Sequence, residues 1–160
     1  MTGGPALCPS APAGADGAVV FGVVGGTVDE PRTGYLPAAV LPTPDLLAAT
    51  APVTPTEVLR FASPCAGARC LQYDKGTCSI GRRLVDVAAP VVARLPRCAI
   101  RPDCRWWREQ GVGACLRCPG VVTTRYAPPP DATAVAGPAG AAAGERASRL
   151  VPAGDGGGRA

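Results

Sequence analysis

Apolar residues along the chain fall into blocks whose spacing predicts strands near the N-terminus and a helical segment in the middle. Residues 18–26, AVVFGVVGG, are β-branched and apolar and end in glycines, which is typical of a strand. Three prolines within residues 27–42 leave room only for a short edge strand near 35–41. Residues 79–95 carry apolar side chains at helical spacing, and Pro90 among them predicts a kink or two short helices.

Threonine and proline mark two further helix starts. Thr43 precedes Pro44, which combines an N-cap hydroxyl with proline at the first helical position. Thr54 is followed three residues later by Glu57, which is the pattern of a capping box. The second helix is predicted over 55–62, and it leads the chain to the first of a series of cysteines.

The composition restricts how much of the chain is expected to fold. Gly (21 residues) and Pro (19 residues) are abundant, and aromatic residues are only 4% of the total. Residues 1–17 and 127–160 are therefore predicted to be disordered. Residues 18–53 are predicted to form a small strand and turn segment that packs on a cysteine-rich metal-binding domain over 54–126. The fold class is a small α+β domain with one or two N-terminal strands, short helices and a core that a metal stabilises.

The chain has eight cysteines and no histidine. Its first residues lack the basic and apolar regions of a secretory signal, and no stretch of about 20 apolar residues predicts a membrane span. We therefore expect a cytoplasmic protein with reduced thiols, in which clustered cysteines indicate metal binding. The absence of histidine excludes Ser–His–Asp and Cys–His catalysis, so an enzyme is not favoured. Soft thiolates select iron–sulfur clusters, zinc or Cu(I).

Seven of the cysteines lie within 54 residues, which is the strongest signal in the sequence. They are Cys65, Cys70, Cys78, Cys98, Cys104, Cys115 and Cys118. The last four are the first choice for a complete four-thiolate set, because only short loops have to close between them. Cys104 begins a helix predicted over 104–110, with Asp103 as its cap and Gly111 as its terminator, and backbone amides at a helix start favour a thiolate.

The segment Cys115-Leu-Arg-Cys118-Pro119 carries two thiolates on one tight turn. This Cys-x-x-Cys-Pro ending resembles the end of ferredoxin-type cluster motifs. The resemblance covers five residues; the preceding Cys-x-x-Cys series of a ferredoxin is absent, and so is the second Cys-x-x-Cys of a zinc ribbon. It implies an iron–sulfur cluster, with [4Fe–4S] favoured and zinc as the alternative.

Cys65, Cys70 and Cys78 form a second group whose fourth ligand is open. Three thiolates alone would leave a free metal position for substrate or water, whereas Cys98 or Cys8 would close the site. Cys8 is separated from Cys65 by 56 residues and lies in a segment predicted to be disordered. It is therefore left out of the predicted ligands.

Positive charge is concentrated around the cysteines. Residues 65–126 carry eleven Lys or Arg and four Asp or Glu. Arginines offset the net negative charge of four thiolates on a divalent metal centre, and they also bind nucleic acid. Arg105, Trp106, Trp107 and Arg108 form a candidate contact for a partner. We expect one of the two tryptophans to pack beside the cysteines and the other to be partly exposed.

These features predict an iron–sulfur cluster-binding protein that acts in electron transfer, in redox sensing or as an accessory factor. The expected partner is a protein such as a redox enzyme, and no membrane is involved. The alternative is a structural zinc-binding module for nucleic-acid or protein interaction.

Overall fold

The computed structural model of the chain describes residues 4–125 and 130–137. The strands are β1 Leu7–Cys8, β2 Val19–Gly26, β3 Pro31–Val40, β4 Leu59–Pro64, β5 Tyr73–Asp74 and β6 Thr77–Cys78. The helices are α1 Pro44–Ala48, α2 Pro55–Val58, α3 Ser79–Val87, α4 Arg105–Gln110, α5 Val112–Cys115 and α6 Pro130–Ala136. Single 3₁₀ turns span Gly67–Arg69, Arg101–Asp103 and Cys118–Gly120. The predicted small α+β class with short helices is confirmed.

Four strands form one antiparallel sheet in the order β1, β4, β2, β3. Strand β2 lies between β3 and β4, and its residues Val20, Gly22 and Val23 pair with both neighbours. Two shorter strands, β5 and β6, form a separate hairpin in which Tyr73 pairs with Cys78. Lys75 and Gly76 both have positive φ at its turn, which suits the twist of a tight two-residue hairpin.

The core consists of two apolar clusters: one packs the sheet against α3 and α4, and the other, around Val20 and Phe61, packs it against Leu46 and Leu47 of α1. Phe21 of β2 and Ala62 of β4 are completely buried, and they belong to one apolar cluster with Leu84 of α3 and Trp106 of α4. Cys104 and Cys118 are buried members of the same cluster. These two thiols are therefore part of the core of this fold.

The predicted elements agree with the structure where local signals dominate. A strand occupies the predicted 18–26 segment, and the edge strand near 35–41 is longer than expected, spanning Pro31–Val40. The Thr43 hydroxyl accepts a hydrogen bond from Leu46 N at 3.2 Å, which confirms the predicted helix cap. Thr54 N donates to the Glu57 carboxylate at 2.7 Å, as a capping box requires.

Two helix predictions extend too far along the chain. The helix predicted over 55–62 ends at Val58, because the following residues pair with β2 as strand β4, and sheet pairing overrides local helix propensity. The segment predicted as helical over 79–95 is helical only in α3. The chain leaves the helix before Pro90, since the residue before a proline avoids the helical conformation.

Both predicted tails differ from the structure within its described range. Residues 1–17 were expected to be disordered, but β1 within them pairs with β4, matching Cys8 with Ser63. The 127–160 tail contains α6, whose Val135 packs in the core cluster. The remainder of that predicted tail lies outside the described residues, apart from Gly137. Single buried contacts are enough to order such segments, and composition does not reveal them.

Candidate metal centres

Four cysteines from the C-terminal half line one small cavity, which we call the first pocket. They are Cys98, Cys104, Cys115 and Cys118, the set preferred from the sequence. The cavity has a volume of about 20 Å³, and apolar side chains such as Phe21 and Ile100 form much of its wall. The structure therefore places the four predicted thiols around a shared space.

Short turns bring these four thiols together. Cys98 precedes the Arg101–Asp103 turn, and Cys104 then stands directly before α4. Gly111 has a φ of 59°, which is easy only for glycine, and it separates α4 from α5. Helix α5 ends at Cys115, so the predicted termination at Gly111 is confirmed. The cap is different, because Cys104 occupies the N-cap position and Asp103 accepts a hydrogen bond from Arg108.

A completely buried arginine lies beside Cys118, one of the four cysteines of the first pocket. Arg60 on β4 has 0% exposure and donates to the carbonyl oxygens of Cys118, Val121 and Pro9 at 2.8–2.9 Å. Its Nη2 atom lies 3.5 Å from the Cys118 sulfur, and its guanidinium carbon lies 5.2 Å from the centre of the Phe21 ring. No Asp or Glu in the described part of the chain forms an ion pair with Arg60.

Burial favours the protonated form of three thiols of the first pocket, those of Cys98, Cys104 and Cys115. Burial raises the pKa of Cys104 to about 12, and repulsion from Cys118 adds to the rise. Burial also raises the pKa of Cys98 and of Cys115. Hydrogen bonds from backbone amides oppose the shift at Cys104 and Cys98, and the Arg101 side chain opposes it at Cys115. These donors favour the thiolate once a cation offsets its charge.

Tyr35 closes the first pocket on the side of the sheet. Its ring stacks on Phe21 with the ring centres 5.9 Å apart and the planes 13° apart. Burial raises the pKa of the Tyr35 hydroxyl strongly, and the neighbouring Cys118 thiol raises it further through charge repulsion and a hydrogen bond. The hydroxyl therefore stays protonated and can donate to the Cys118 sulfur.

The other four cysteines line a second cavity, which we call the second pocket. They are Cys8, Cys65, Cys70 and Cys78. The cavity between them has a volume of about 30 Å³. Side chains including Tyr73, Ile80 and Arg105 complete its wall. Pro9 and Trp106 line both pockets and therefore separate them.

This grouping answers the question that the spacing left open. Cys65, Cys70 and Cys78 are joined by Cys8, whereas Cys98 belongs to the first pocket. Sequence reasoning missed Cys8 because the pairing of β1 with β4 has no local signature. The even total of eight cysteines was the one available hint.

Five cysteine sulfurs share a local hydrogen-bonding pattern. In each case the backbone N–H two residues further along the chain points to the sulfur. Gly67 N donates to Cys65 Sγ and Gln72 N donates to Cys70 Sγ, both at 3.4 Å. The other three pairs are Cys8 with Ser10, Cys98 with Ile100, and Cys104 with Trp106. Such N–H donors stabilise negative charge on sulfur and orient it, as in metal sites with thiolate ligands.

All eight thiols are free, and none forms a disulfide. In residues 4–125 and 130–137, no group of three or more Cys, Asp or Glu side chains is arranged to hold a metal ion directly. The sulfurs instead surround two cavities, and a bound metal stays a prediction. No helix in the described ranges is long and apolar enough to cross a membrane.

The predicted partner contact divides into a buried and an exposed half. Trp106 is 2% exposed and packs beside the cysteines, so it is not available to a partner. Trp107 is partly exposed, with the Arg101 guanidinium 5.5 Å from its ring centre. Arg105 pairs with Glu109 at 2.9 Å, and Arg108 is exposed. The expectation of one packed and one partly exposed tryptophan is confirmed.

Comparison with known proteins adds no identity: no family model, no curated protein and no solved structure matches this chain.

Proposed function

We propose that this chain is an iron–sulfur protein that carries a [4Fe–4S] cluster in the first pocket and exchanges single electrons with a protein partner. The four ligands are Cys98, Cys104, Cys115 and Cys118. The cluster accepts one electron from a reduced donor and passes it to an oxidised acceptor, and no bond is made or broken in the protein.

The observation that carries this proposal is the buried Arg60. A cation removed from water is costly unless an anion compensates it. Arg60 has no carboxylate partner in the described part of the chain, and the charged group it can meet is the sulfur of Cys118. Four thiolates on a cluster with a 2+ core carry a net charge of −2, which Arg60 and the nearby Arg101 can balance.

The Cys115-Leu-Arg-Cys118-Pro119 ending favours a cluster over a single zinc ion, because it resembles the end of ferredoxin-type cluster motifs. Zinc held by the same four thiolates is the alternative.

The exposure of the ligands suggests where electrons enter. Cys104 and Cys118 are buried, whereas Cys98 and Cys115 are partly exposed. The cluster would therefore be nearest to solvent on the side of Cys98 and Cys115, beside Arg101. A partner with an acidic surface would be steered to this basic edge.

Anaerobic purification with metal and sulfide analysis tests the proposal. We expect a brown protein with broad absorption near about 400 nm that bleaches on reduction with dithionite. Iron and sulfide should be present in equal amounts, and Cys98→Ser should remove the iron of the first pocket. A colourless protein with stoichiometric zinc and no iron would contradict the proposal and support the zinc module instead.

A further inference from the structure

We propose that the second pocket is a second cluster site, in which Cys8, Cys65, Cys70 and Cys78 hold another [4Fe–4S] cluster. This inference rests on the proposed function and extends it, because it makes the chain a two-cluster protein. It also assigns a ligand, Cys8, that the sequence pattern alone does not reveal.

Sheet pairing brings Cys8 to the other three cysteines. Strand β1 lies antiparallel to β4, so that Cys8 pairs with Ser63 and Leu7 pairs with Pro64. The chain then reaches Cys65 directly, and Cys65 N donates to the carbonyl oxygen of Ala6 at 2.7 Å. A ligand 57 positions away in the sequence is thus fixed beside the loop that holds Cys65.

Two local devices place the remaining thiols. The 3₁₀ turn Gly67–Arg69 links Cys65 to Cys70. The β5–β6 hairpin then returns the chain to Cys78, which stands directly before α3. Each of the four thiols is partly exposed, and the cavity between them is about 30 Å³, slightly larger than that of the first pocket.

The groups around the second pocket are suited to thiolates. Backbone amides point to three of its four sulfurs, those of Cys8, Cys65 and Cys70. The Arg105 side chain lies in hydrogen-bonding contact with Cys65 and stacks on Tyr73, with 5.5 Å between the guanidinium and the ring centre. These contacts match the amide and arginine contacts of the first pocket.

Glu109 contacts both Arg105 and the segment that carries the fourth proposed ligand, Cys78. Its carboxylate accepts from Arg105 at 2.9 Å and from the backbone N–H of Cys78 at 2.8 Å. One carboxylate thus ties α4, which carries Arg105, to the hairpin that carries Cys78. Such outer contacts are what fix the ligands of a metal site in place.

The two centres would share one wall. Trp106 and Pro9 line both pockets, and Trp106 is 2% exposed. Reduction by a one-electron donor such as dithionite would place one electron on either cluster, and the electron could pass to the other without leaving the protein. The chain would then connect a donor and an acceptor that bind at different sides of the molecule.

Counting iron in reciprocal variants tests the second site. Anaerobically prepared wild-type protein should contain about eight iron and eight sulfide per chain, which is two [4Fe–4S] clusters. Cys8→Ser and Cys70→Ser should each reduce the iron by half, and Cys98→Ser should also halve it by removing the other cluster. Ala93→Ser, at an exposed position that lines neither pocket, is the matched control and should keep all the iron.

The outcomes separate the two proposals. About four iron in the wild type, unchanged in Cys8→Ser and lost in Cys98→Ser, would overturn the second site and leave the first. No iron in any preparation would overturn both. If Cys8→Ser does not fold, thiol alkylation of the wild type replaces it, read by mass spectrometry before and after removal of iron with a chelator. Cys8 should be alkylated only after iron removal, and equal alkylation in both samples would overturn the second site.

Discussion

The two cysteine pockets present the same ligand chemistry in different surroundings. In the first pocket two of the four cysteines are buried in the core, and the completely buried Arg60 stands against one of them. In the second pocket all four cysteines are partly exposed, and Arg105 forms an ion pair with Glu109 that offsets its charge.

This difference has consequences for both stability and redox potential. The first pocket is built into the core, so losing its centre would leave Arg60 as an uncompensated buried charge. The second pocket is built from a two-residue strand, a turn and a short hairpin, and its centre should be released sooner to chelators. Less net positive charge beside the proposed second cluster should also give that cluster the lower reduction potential.

The largest effect is expected from Arg60→Met. The substitution removes the positive charge beside Cys118 and leaves the carbonyl oxygens of Pro9, Cys118 and Val121 without their donor. Breaking a buried charge pair costs about 3–5 kcal/mol, so urea unfolding should show a loss of that size. Iron should be lost from the first pocket before the second.

The exposed Arg94 provides the control for this substitution. Arg94→Met removes the same charge from the chain and should leave stability and iron content unchanged. If Arg60→Met unfolds at the wild-type urea concentration with its full iron content, the assignment of Arg60 as the counter-charge of the first pocket is wrong.

Gly81→Ala should disturb both pockets together through their shared wall. A Cβ atom at Gly81 would lie 2.8 Å from the Trp106 ring, which is too close without movement of the tryptophan. Overpacking of this kind costs about 1–3 kcal/mol, so a lower unfolding midpoint and faster iron release from both pockets are expected. Gly113→Ala is the matched helical control, because its Cβ would meet Val85 at an ordinary 3.5 Å. Equal behaviour of the two variants would contradict the role given to Trp106.

Metal affinity should rise with pH in both pockets. Burial raises the pKa of Cys8 to about 11 and that of Cys104 to about 12, so both thiols carry protons in the metal-free protein between pH 6 and 9. Metal binding releases these protons, so affinity should fall by about tenfold per pH unit for each thiol that must lose a proton, as the pH decreases. Competition between the protein and a chelator for Co²⁺ measures this slope, and an affinity independent of pH would exclude thiolate ligation.

The smallest effect is expected from Tyr35→Phe, which should alter only the first centre. The hydroxyl interacts with Cys118, and a donor to a ligand sulfur stabilises the reduced, more negative cluster. Loss of one hydrogen bond of about 0.5–1.5 kcal/mol should lower the one-electron potential by about 20–65 mV. Tyr73→Phe, in the wall of the second pocket, should leave the first potential unchanged. Potentiometric titration measures both potentials. If Tyr35→Phe and Tyr73→Phe shift the same potential, the proposed contact of Tyr35 with the first centre is wrong.

Local sequence signals predicted part of this architecture. The β-branched block gave the central strand, Thr43 gave a helix cap, and the spacing of the last four cysteines gave the first pocket. Each of these depends on residues that are close together in the chain, and such patterns can be interpreted without tertiary information.

The missed features all depend on distant contacts. Cys8 reaches the second pocket through strand pairing with β4, and Arg60 became a strand residue through pairing with β2, where a helix had been predicted. Its burial against Cys118 joins positions 58 residues apart. No periodicity or motif encodes such a contact, because sheet register and core packing determine it.

The most direct test of the account is anomalous diffraction from crystals of the anaerobically purified protein at the iron absorption edge. Two separate iron peaks are predicted, one enclosed by Cys98, Cys104, Cys115 and Cys118 and one by Cys8, Cys65, Cys70 and Cys78, with Trp106 between them. Anomalous density at zinc, or cavities without any anomalous density in a well-ordered protein, would contradict the central claim.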